Sequence, residues 1–192
     1  MKRTTSSIAL VAVAMLLLSA CAVTGKPIAP VSGVDLPRFM GRWYVIASIP
    51  TRFERGGVNA VETYSLNADG TVCTWFRMRS DSFTAPVKLL HSTARIVQGS
   101  GNGEWRVRIF GVLHAQYLVG WLKADYSEVM VVRDARDYLW YMARTPQVPD
   151  ENYQAMLDRA AVMGYDVSRI EKVPQHWPES GEGSETFMGE CQ

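Results

Sequence analysis

From residue 42 onward, apolar and polar side chains alternate in short runs that are separated by turn-forming residues. In the run 105–110, Trp105, Val107 and Ile109 alternate with two arginines. A period of two gives a strand one apolar and one solvated face. Asn, Asp and Gly between the runs favour tight turns, as at residues 67–70. Eight such runs predict eight strands, at residues 42–49, 59–66, 71–79, 86–97, 105–110, 116–123, 128–133 and 138–143.

The predicted strands follow one another through short connections, so the economical topology is an antiparallel up-and-down meander. Closing that meander into a barrel leaves no exposed strand edge. One helix follows, which Asp150 can cap and Gly164 can end, with apolar positions at Tyr153, Met156, Leu157, Ala160 and Met163. Its apolar stripe needs a surface to cover. We therefore predict an all-β fold, an eight-stranded antiparallel up-and-down barrel with one C-terminal α-helix packed outside.

The two ends of the chain differ from this body. Residues 1–20 begin with Lys2 and Arg3 and contain an uncharged apolar run at 8–18. That run covers about half of a hydrocarbon core of roughly 30 Å, so it predicts a secretory signal and not a membrane span. Residues 21–33 carry Gly and Pro without periodicity and predict a linker. Residues 34–173 form the predicted domain, and residues 174–192, rich in Pro, Gly, Ser and Glu, predict a disordered tail.

The signal ends in Leu18-Ser19-Ala20-Cys21. This sequence resembles the lipobox of bacterial lipoproteins, in which the cysteine thiol is acylated and becomes the first residue of the mature chain. The resemblance implies that Cys21 is the lipidation site and that acyl chains tether the protein to a membrane. Ala22 follows where a lipoprotein of the inner membrane usually carries Asp, so the resemblance points to the outer membrane.

Composition narrows the function classes. The chain has 20 Lys+Arg, 19 Asp+Glu and 47% hydrophobic residues, which is typical of a globular protein and disfavours a nucleic-acid partner. The histidines His91, His114 and His176 are isolated, without metal-ligand spacing. There is no Gly-x-Ser-x-Gly motif and no phosphate-binding loop. The sequence therefore predicts no metal, no cofactor and no catalytic residues.

Three motifs carry a family resemblance. Gly41-Arg42-Trp43-Tyr44 follows a short predicted turn, Asp125-Tyr126 precedes a strand, and Arg144 ends the last strand in Asp137-Tyr-Leu-Trp-Tyr-Met-Ala-Arg. In this order they resemble the signature motifs of the lipocalins, most closely those of the bacterial outer-membrane lipoproteins related to apolipoprotein D. The resemblance covers residues 34–173 and implies an eight-stranded barrel that holds a small hydrophobic ligand.

The same residues have a physical role in closing the barrel. Apolar side chains on the turn at residues 36–40 can cover the base, and Trp43 can fill it. The Arg144 guanidinium can lie over the indole face, a contact that contributes roughly 0.5–2 kcal/mol. Gly41 lets the backbone pass close to that stack. We therefore interpret Gly41, Trp43 and Arg144 as barrel closure and not as ligand contacts.

Alternation then predicts which side chains face the lumen. If Trp43 points inward, strict alternation turns Val45, Ala47 and Ile49 inward as well. If Arg144 marks the base, the inward residues of the last strand are Met142, Trp140 and Tyr138, with Trp140 at mid-barrel, while Leu139, Tyr141 and Ala143 face the helix. The family resemblance adds Tyr117, Val119, Trp121, Met130 and Val132 to the ligand-binding lumen. Each of these side chains is as well explained by core filling as by ligand contact.

Glu62 and Cys73 leave questions open. Glu62 stands in the second predicted strand, and if it points inward it needs a partner or will be largely protonated. Cys73 lies within the third predicted strand and is either a buried or disulfide-bonded thiol or a nucleophile. Cys191 is the only other thiol that remains after lipidation, so a Cys73–Cys191 disulfide is one alternative in an oxidising periplasm.

The leading hypothesis is a non-enzymatic protein that binds, stores or transports a small hydrophobic ligand. The resemblance implies a fatty acid or lysophospholipid as ligand and a lipid-anchored location at the outer membrane facing the periplasm. The sequence leaves a homodimer open and does not determine the oligomeric state. Two alternatives from other classes stay open: an enzyme that modifies lipids or oxidants through Cys73, and an envelope interaction protein whose barrel is filled by its own side chains.

Overall fold

A computed structural model describes residues 25–109 and 111–179. The strands are β1 Gly41–Ile49, β2 Gly57–Leu66, β3 Val72–Ser80, β4 Lys88–Ile96, β5 Glu104–Ile109, β6 Leu113–Leu122, β7 Glu128–Val132, β8 Leu139–Ala143 and β9 Glu171–Lys172. The helices are α1 Leu36–Phe39 and α2 Asp150–Val162, and a 3₁₀ turn spans Val167–Arg169.

Strands β1 to β8 form the predicted closed antiparallel barrel. Each pairs with the next along the chain, and β8 pairs with β1. Closure satisfies the backbone groups that an open sheet would leave at its edges. The barrel has one weak seam, because β1 pairs with β2 only through residues 41–44 and 61–64. The upper part of β1 pairs instead with β9, a strand that the sequence analysis did not predict.

The up-and-down order gives the barrel two distinct ends. The connections at residues 50–56, 81–87, 111–112 and 133–138, with the adjoining strand ends, form what we call the mouth. The connections at the opposite end form the base, where α1 lies. Asp35 caps α1 by accepting a hydrogen bond from the Arg38 backbone N–H at 3.2 Å.

Helix α2 lies on the outside of the barrel, as predicted. Its buried residues Tyr153, Met156 and Ala160 pack against the outward side chains of β7 and β8. The prediction that Asp150 caps this helix is wrong, because Pro149 occupies the cap position and Asp150 is the first helical residue. At that position its carboxylate interacts favourably with the positive end of the helix dipole, but it does not cap a backbone N–H group.

A β-bulge in β1 reverses the predicted orientation of its upper half. Val45 pairs with Met142, but Ala47 pairs with the next residue, Tyr141, so one extra residue is inserted. An extra residue exchanges the two faces of a strand. Trp43 and Val45 therefore pack inside, while Ala47 and Ile49 pack outside near α2. The expectation that Ala47 and Ile49 face the lumen is wrong.

A second bulge, in β6, has the same effect on Trp121. Val119 pairs with Val131 and packs inside, but the register shifts before Trp121, which packs outside against α2. The Arg159 guanidinium of α2 lies 4.4 Å from the centroid of its ring. Trp121 is therefore not a lumen residue, contrary to the prediction.

Met130 and Val132 are also corrected. They pair across β7–β8 with Tyr141 and Leu139, which face the helix, and directly opposed residues share one face of a sheet. Both are fully buried in the outer cluster with α2. Their β7 neighbours, Val129 and Val131, are the inward residues instead.

The expected linker is packed against the barrel over its described part. The Ile28 backbone N–H donates to Asp134 at the mouth (2.7 Å), and that of Val31 donates to the Val119 carbonyl (2.8 Å). The Val34 N–H reaches the Gly101 carbonyl at the base (2.9 Å). Residues 25–34 thus run along the wall from mouth to base. Residues 21–24 lie outside the described residues, as do residues 1–20.

Residues 171–179, which we call the C-terminal strap, fill the seam between β1 and β2. The Val173 N–H donates to the Ile46 carbonyl, and the Asn59 N–H donates to the Pro174 carbonyl, each at 2.9 Å. The Gln175 side chain donates to a carbonyl on each strand, at 2.7 and 3.0 Å. The expectation of a disordered tail therefore does not hold for residues 174–179. Residues 180–192 lie outside the described part.

Candidate functional site

The base of the barrel is closed by the predicted stack. The Arg144 guanidinium lies 3.7 Å from the centroid of the Trp43 ring. It also donates to four carbonyl oxygens on α1 and β1 at 2.7–3.0 Å, those of Arg38, Phe39, Met40 and Arg42. Burial lowers the pKa of Arg144 to about 10, so the group stays charged at neutral pH. Gly41 has a φ of +89°, and a side chain there would meet the guanidinium at 3.5 Å.

An aromatic floor begins at Trp43 and extends upward from this stack. It consists of Phe39, Trp43, Tyr64, Trp105 and Tyr117, whose neighbouring rings are 4.5–6.1 Å apart. Tyr117 stacks on Trp105 at 4.5 Å and donates a hydrogen bond to the Tyr64 hydroxyl at 3.0 Å. Burial raises the pKa of both tyrosines, so both phenols are neutral. Tyr117 is inward, as predicted, but it belongs to the floor and not to the walls.

The walls above the floor are mostly apolar and incompletely packed. Residues that face the lumen are identified by their pairing with Trp105 and Phe76 or by their packing in the inner cluster. Five apolar side chains among them are only half-buried: Leu90, Val107, Ile109, Ala115 and Trp140. A half-buried side chain on the inner face of a closed barrel borders space that protein atoms do not fill. Met142, Val119 and Val131 are buried lower in the same inner cluster.

Trp140 lies nearer the mouth than its predicted mid-barrel position. It is the second residue of β8, whose first residue, Leu139, comes directly from the mouth. Its indole N–H donates to the Glu54 carboxylate in the β1–β2 connection at 2.7 Å. Tyr138 precedes the strand, with its ring 6.1 Å from that of Trp140 and the Arg133 guanidinium 5.3 Å away. Tyr138 is therefore a rim residue.

Glu62 points into the lumen. It pairs with Trp43 on one side and Phe76 on the other, and both pack in the inner cluster. Its Oε2 atom is buried and has no hydrogen-bond partner among the described residues. Burial raises the pKa of the Glu62 carboxyl well above its usual value, and the nearby negative charge of Glu54 raises it further. Glu62 thus places an ionisable carboxyl in a mostly apolar wall, whose other inward polar side chains include Thr74 and Ser92.

Cys73 is not a free thiol. It is fully buried and disulfide-bonded. It lies between Val72, which packs in the inner cluster, and the inward Thr74, so alternation turns its side chain outward, away from the lumen. Its partner lies outside the described residues, and a pairing with Cys191 stays a prediction. A disulfide sulfur is not the thiolate that nucleophilic catalysis requires.

Five lumen residues of β3 to β6 were not predicted from the sequence: Phe76, Leu90, Val107, Ile109 and Ala115. A signal for two of them was present, because Val107 and Ile109 alternate in phase with Trp105. The sequence also did not predict the burial of Arg77 and Arg79, which face outward on β3 and are 1% and 2% exposed under the C-terminal strap. Nothing in the local pattern indicates that two arginines on a solvated face will be covered.

In residues 25–109 and 111–179 no helix combines the length and apolar character needed to cross a membrane. The same part of the chain holds no group of three His, Cys, Asp or Glu side chains arranged to bind a metal ion. Cys21, the predicted lipidation site, lies outside the described residues.

Comparison with known sequences agrees with this architecture. The family model of the lipocalin-like domain matches residues 34–175. Temperature-induced lipocalin-1 of Arabidopsis thaliana is 31% identical over 174 residues, covering 85% of this chain and 92% of that protein. The outer membrane lipoprotein Blc of Escherichia coli (strain K12) is 32% identical over 166 residues, covering 85% and 93%. Mouse apolipoprotein D is 26% identical over 151 residues, covering 73% and 77%.

Solved structures support the fold. Insecticyanin from the tobacco hornworm Manduca sexta superposes with a TM-score of 0.59 at 14% identity, over 83% of this chain and 88% of that one. Four observations indicate the same family: the closed barrel, the Trp43–Arg144 base, the outer helix and a family match over most of the domain. The chain therefore belongs to the lipocalin family.

Proposed function

We propose that this lipocalin binds, stores or transports a single-chain amphiphile, a fatty acid or a lysophospholipid, without catalysis. The observation that carries the proposal is the incompletely packed apolar wall above the aromatic floor. Eight-stranded barrels are just wide enough to hold one small ligand. The half-buried wall residues speak against a barrel filled by its own side chains, and the oxidised state of Cys73 speaks against the thiol enzyme.

The lumen favours entry of the ligand with its apolar end first. The floor is aromatic and buried, and a charged headgroup placed there would lose its hydration without a compensating partner. At the mouth, Arg52, Arg55 and Lys88 are exposed and can remain near a phosphate or carboxylate in water. The acyl chain then lies along Trp140, Ile109 and Ala115, with Val119 and Met142 below. Trp121, Met130 and Val132 take no part, because they face outward.

The lumen proposal is tested by titrating the delipidated protein with lysophosphatidylcholine and following tryptophan fluorescence. We expect micromolar affinity, which needs only about 8 kcal/mol. Ala115→Trp should weaken binding by about tenfold or more, because the added ring occupies the space of the acyl chain. Trp140→Ala should reduce the fluorescence change.

The matched control is Trp121→Phe, which alters a tryptophan on the outer face of the same barrel. This variant should retain full affinity. Denaturant titrations of every variant show whether the fold is intact. Unchanged affinity in a well-folded Ala115→Trp protein would contradict the proposed lumen site.

We further propose that the protein is acylated at Cys21 and held at the outer membrane, facing the periplasm. The support is the resemblance of residues 18–21 to a lipobox, together with the names of the Blc relatives, which are outer membrane lipoproteins. Metabolic labelling with a palmitate analogue should mark the native protein and not Cys21→Ser. Labelling that persists in the variant would rule out this anchor.

A further inference from the structure

Exposed large apolar side chains concentrate at the mouth. Among the described residues eight such side chains are at least about a third exposed, and five belong to the mouth: Phe53, Phe83, Leu89, Val112 and Leu113. Val112 is 74% and Leu113 59% exposed. They come from three separate connections, so no single irregular loop explains them. Exposed apolar groups gathered on one end mark an interaction surface.

The exposed charges around this apolar rim are mostly basic. Arg52, Arg55, Lys88 and Arg108 are exposed in or beside the mouth connections, and Asp81 is the exposed acidic residue of those connections. The half-buried Glu54 carboxylate already accepts hydrogen bonds from Trp140 and from the Thr51 backbone. Asp134 and Asp137 are also half-buried; Asp137 pairs with Arg133 at 3.0 Å, and Asp134 accepts from the Ile28 N–H and from Gln116. A basic rim around apolar side chains fits a surface that is anionic outside and apolar inside.

The chain also leaves the described structure at the mouth. Arg136 in the β7–β8 connection donates to the Lys26 carbonyl at 2.6 Å, and the Ile28 N–H bonds to Asp134 in the same connection. Gly25 is held close to the Arg136 guanidinium. Cys21 precedes Gly25 by four residues, which span at most about 14 Å of extended chain. An acyl chain on Cys21 would therefore hold the mouth, and not the base, next to the bilayer.

We propose that the mouth docks on the surface of an anionic phospholipid bilayer. Phe53, Phe83, Val112 and Leu113 insert among the acyl chains near the headgroups, and the basic rim contacts lipid phosphates. Docking in this orientation lets an amphiphile pass between bilayer and lumen without crossing water. The proposal rests on the proposed lipid-binding function for its purpose, while the contact itself depends only on the exposed residues.

The test uses the unacylated mature chain, residues 21–192 produced without the signal, so that attachment does not depend on acyl chains. Its co-sedimentation with vesicles of phosphatidylethanolamine and phosphatidylglycerol is compared with that of a Val112→Glu/Leu113→Glu variant. We expect the variant to bind about tenfold more weakly and native binding to weaken with added salt. Vesicles of phosphatidylcholine alone should bind less of the native protein, because they lack net negative charge.

Leu66→Glu is the matched control, because Leu66 is 44% exposed but lies at the base. It should bind vesicles like the native chain. Equal losses in Leu66→Glu and the mouth variant, or no loss in either, would overturn the proposal.

Lumen binding is separable from docking. Ala115→Trp should lose lysophosphatidylcholine and still bind vesicles. The single Val112→Glu variant leaves Leu113, which is opposite Ile109, unchanged, and it should keep its affinity for monomeric lysophosphatidylcholine. Loss of vesicle binding in Ala115→Trp would show that vesicle attachment is only lumen binding, which would overturn the docking surface and leave the proposed function intact. A native chain that docks but takes up no lysophosphatidylcholine would contradict the proposed function alone.

Discussion

Glu62 is a carboxyl placed where the lumen offers it no hydrogen-bond partner for Oε2. Burial first, and then the charge of Glu54, raise its pKa, so the folded protein favours the neutral acid. A neutral carboxyl can donate one hydrogen bond and accept others, and it does not repel an apolar chain as a carboxylate would. A neutral Glu62 is therefore compatible with the acyl chain that is proposed to lie above the floor.

The pH dependence of stability should reveal this protonation. The pKa of Glu62 is higher in the folded than in the unfolded chain, so the folded state holds the proton more tightly. Its contribution is therefore most favourable below the unfolded pKa of about 4.3 and is lost as the pH rises through the folded value. Glu62→Gln, which stays neutral, should lose less stability over that range in urea titrations at several pH values. Parallel profiles for the native protein and the variant would show that Glu62 is ionised.

At the scale of elements, the C-terminal strap completes a barrel that its own strands leave open at the β1–β2 seam. Glu179 bonds to the buried Arg77 and Arg79, and its side chain is only 2% exposed. The register of β2 against β3 shifts between Val58 and Val61, and Asn59 within this irregularity has a φ of +49°. Its side chain donates to the same carboxylate at 2.7 Å. The strap is thus held by backbone bonds along the seam and by one carboxylate between two arginines.

Removing that carboxylate should destabilise the fold. Glu179→Gln removes a charged partner that two buried arginines share, which should cost about 3 kcal/mol in the free energy of unfolding. Glu104→Gln is the control, since Glu104 pairs with an Arg106 side chain that is 55% exposed, and such surface pairs contribute at most about 1 kcal/mol. Similar losses in the two variants, measured by urea denaturation, would contradict a buried clamp.

The contact of Glu179 with the two arginines also predicts that the fold is destabilised by acid. Burial alone would raise the pKa of Glu179, but hydrogen bonds from Arg77, Arg79 and Asn59 outweigh it and lower the pKa to about 2. The lowered pKa stabilises the fold above the unfolded value of about 4.3 and is lost as the pH falls towards 2. Glu179→Gln should lack this part of the acid destabilisation.

At the scale of the whole molecule, the two ends of the barrel have opposite properties. The base is closed by Arg144, which joins α1, β1 and the end of β8 through the Trp43 stack and four carbonyls. The mouth keeps half-buried walls and an exposed apolar rim. One end stabilises the barrel and the other is the proposed ligand entrance, so stability and ligand affinity should be separable by mutation.

The closing unit should behave as one in a double-mutant cycle. Trp43→Ala should cost about 3–5 kcal/mol, because it removes a fully buried aromatic side chain. The Trp43→Ala/Arg144→Ala variant should lose less than the sum of the single losses, because the two residues share a contact. The Trp121–Arg159 pair on the outer face is the control. Arg159→Ala should lower the free energy of unfolding by about 1 kcal/mol or less. Additive losses for Trp43 and Arg144 would show that they do not act together.

The sequence alone determined the features that depend on local pattern. Period-two alternation and short connections were sufficient to predict eight antiparallel strands. The spacing of apolar residues over 150–163 was sufficient to predict one outer helix. The motif residues Gly41, Trp43 and Arg144 were sufficient for the base, because each has a specific steric or electrostatic requirement there. The inward orientation of Trp140 and Met142 also followed correctly, because β8 has no bulge in its pairing with β7.

Tertiary structure decided everything that depends on register. One inserted residue in β1 and another in β6 turned Ala47, Ile49 and Trp121 outward, and a bulge leaves the sequence alternation looking unbroken. Arg77 and Arg79 are covered by the C-terminal strap, whose Glu179 follows Arg77 by 102 residues in the sequence. The collection of apolar side chains at the mouth likewise arises only when separate connections meet at one end of a closed barrel. Side-chain orientation is set by hydrogen-bond pairing between strands, which no single run of residues contains.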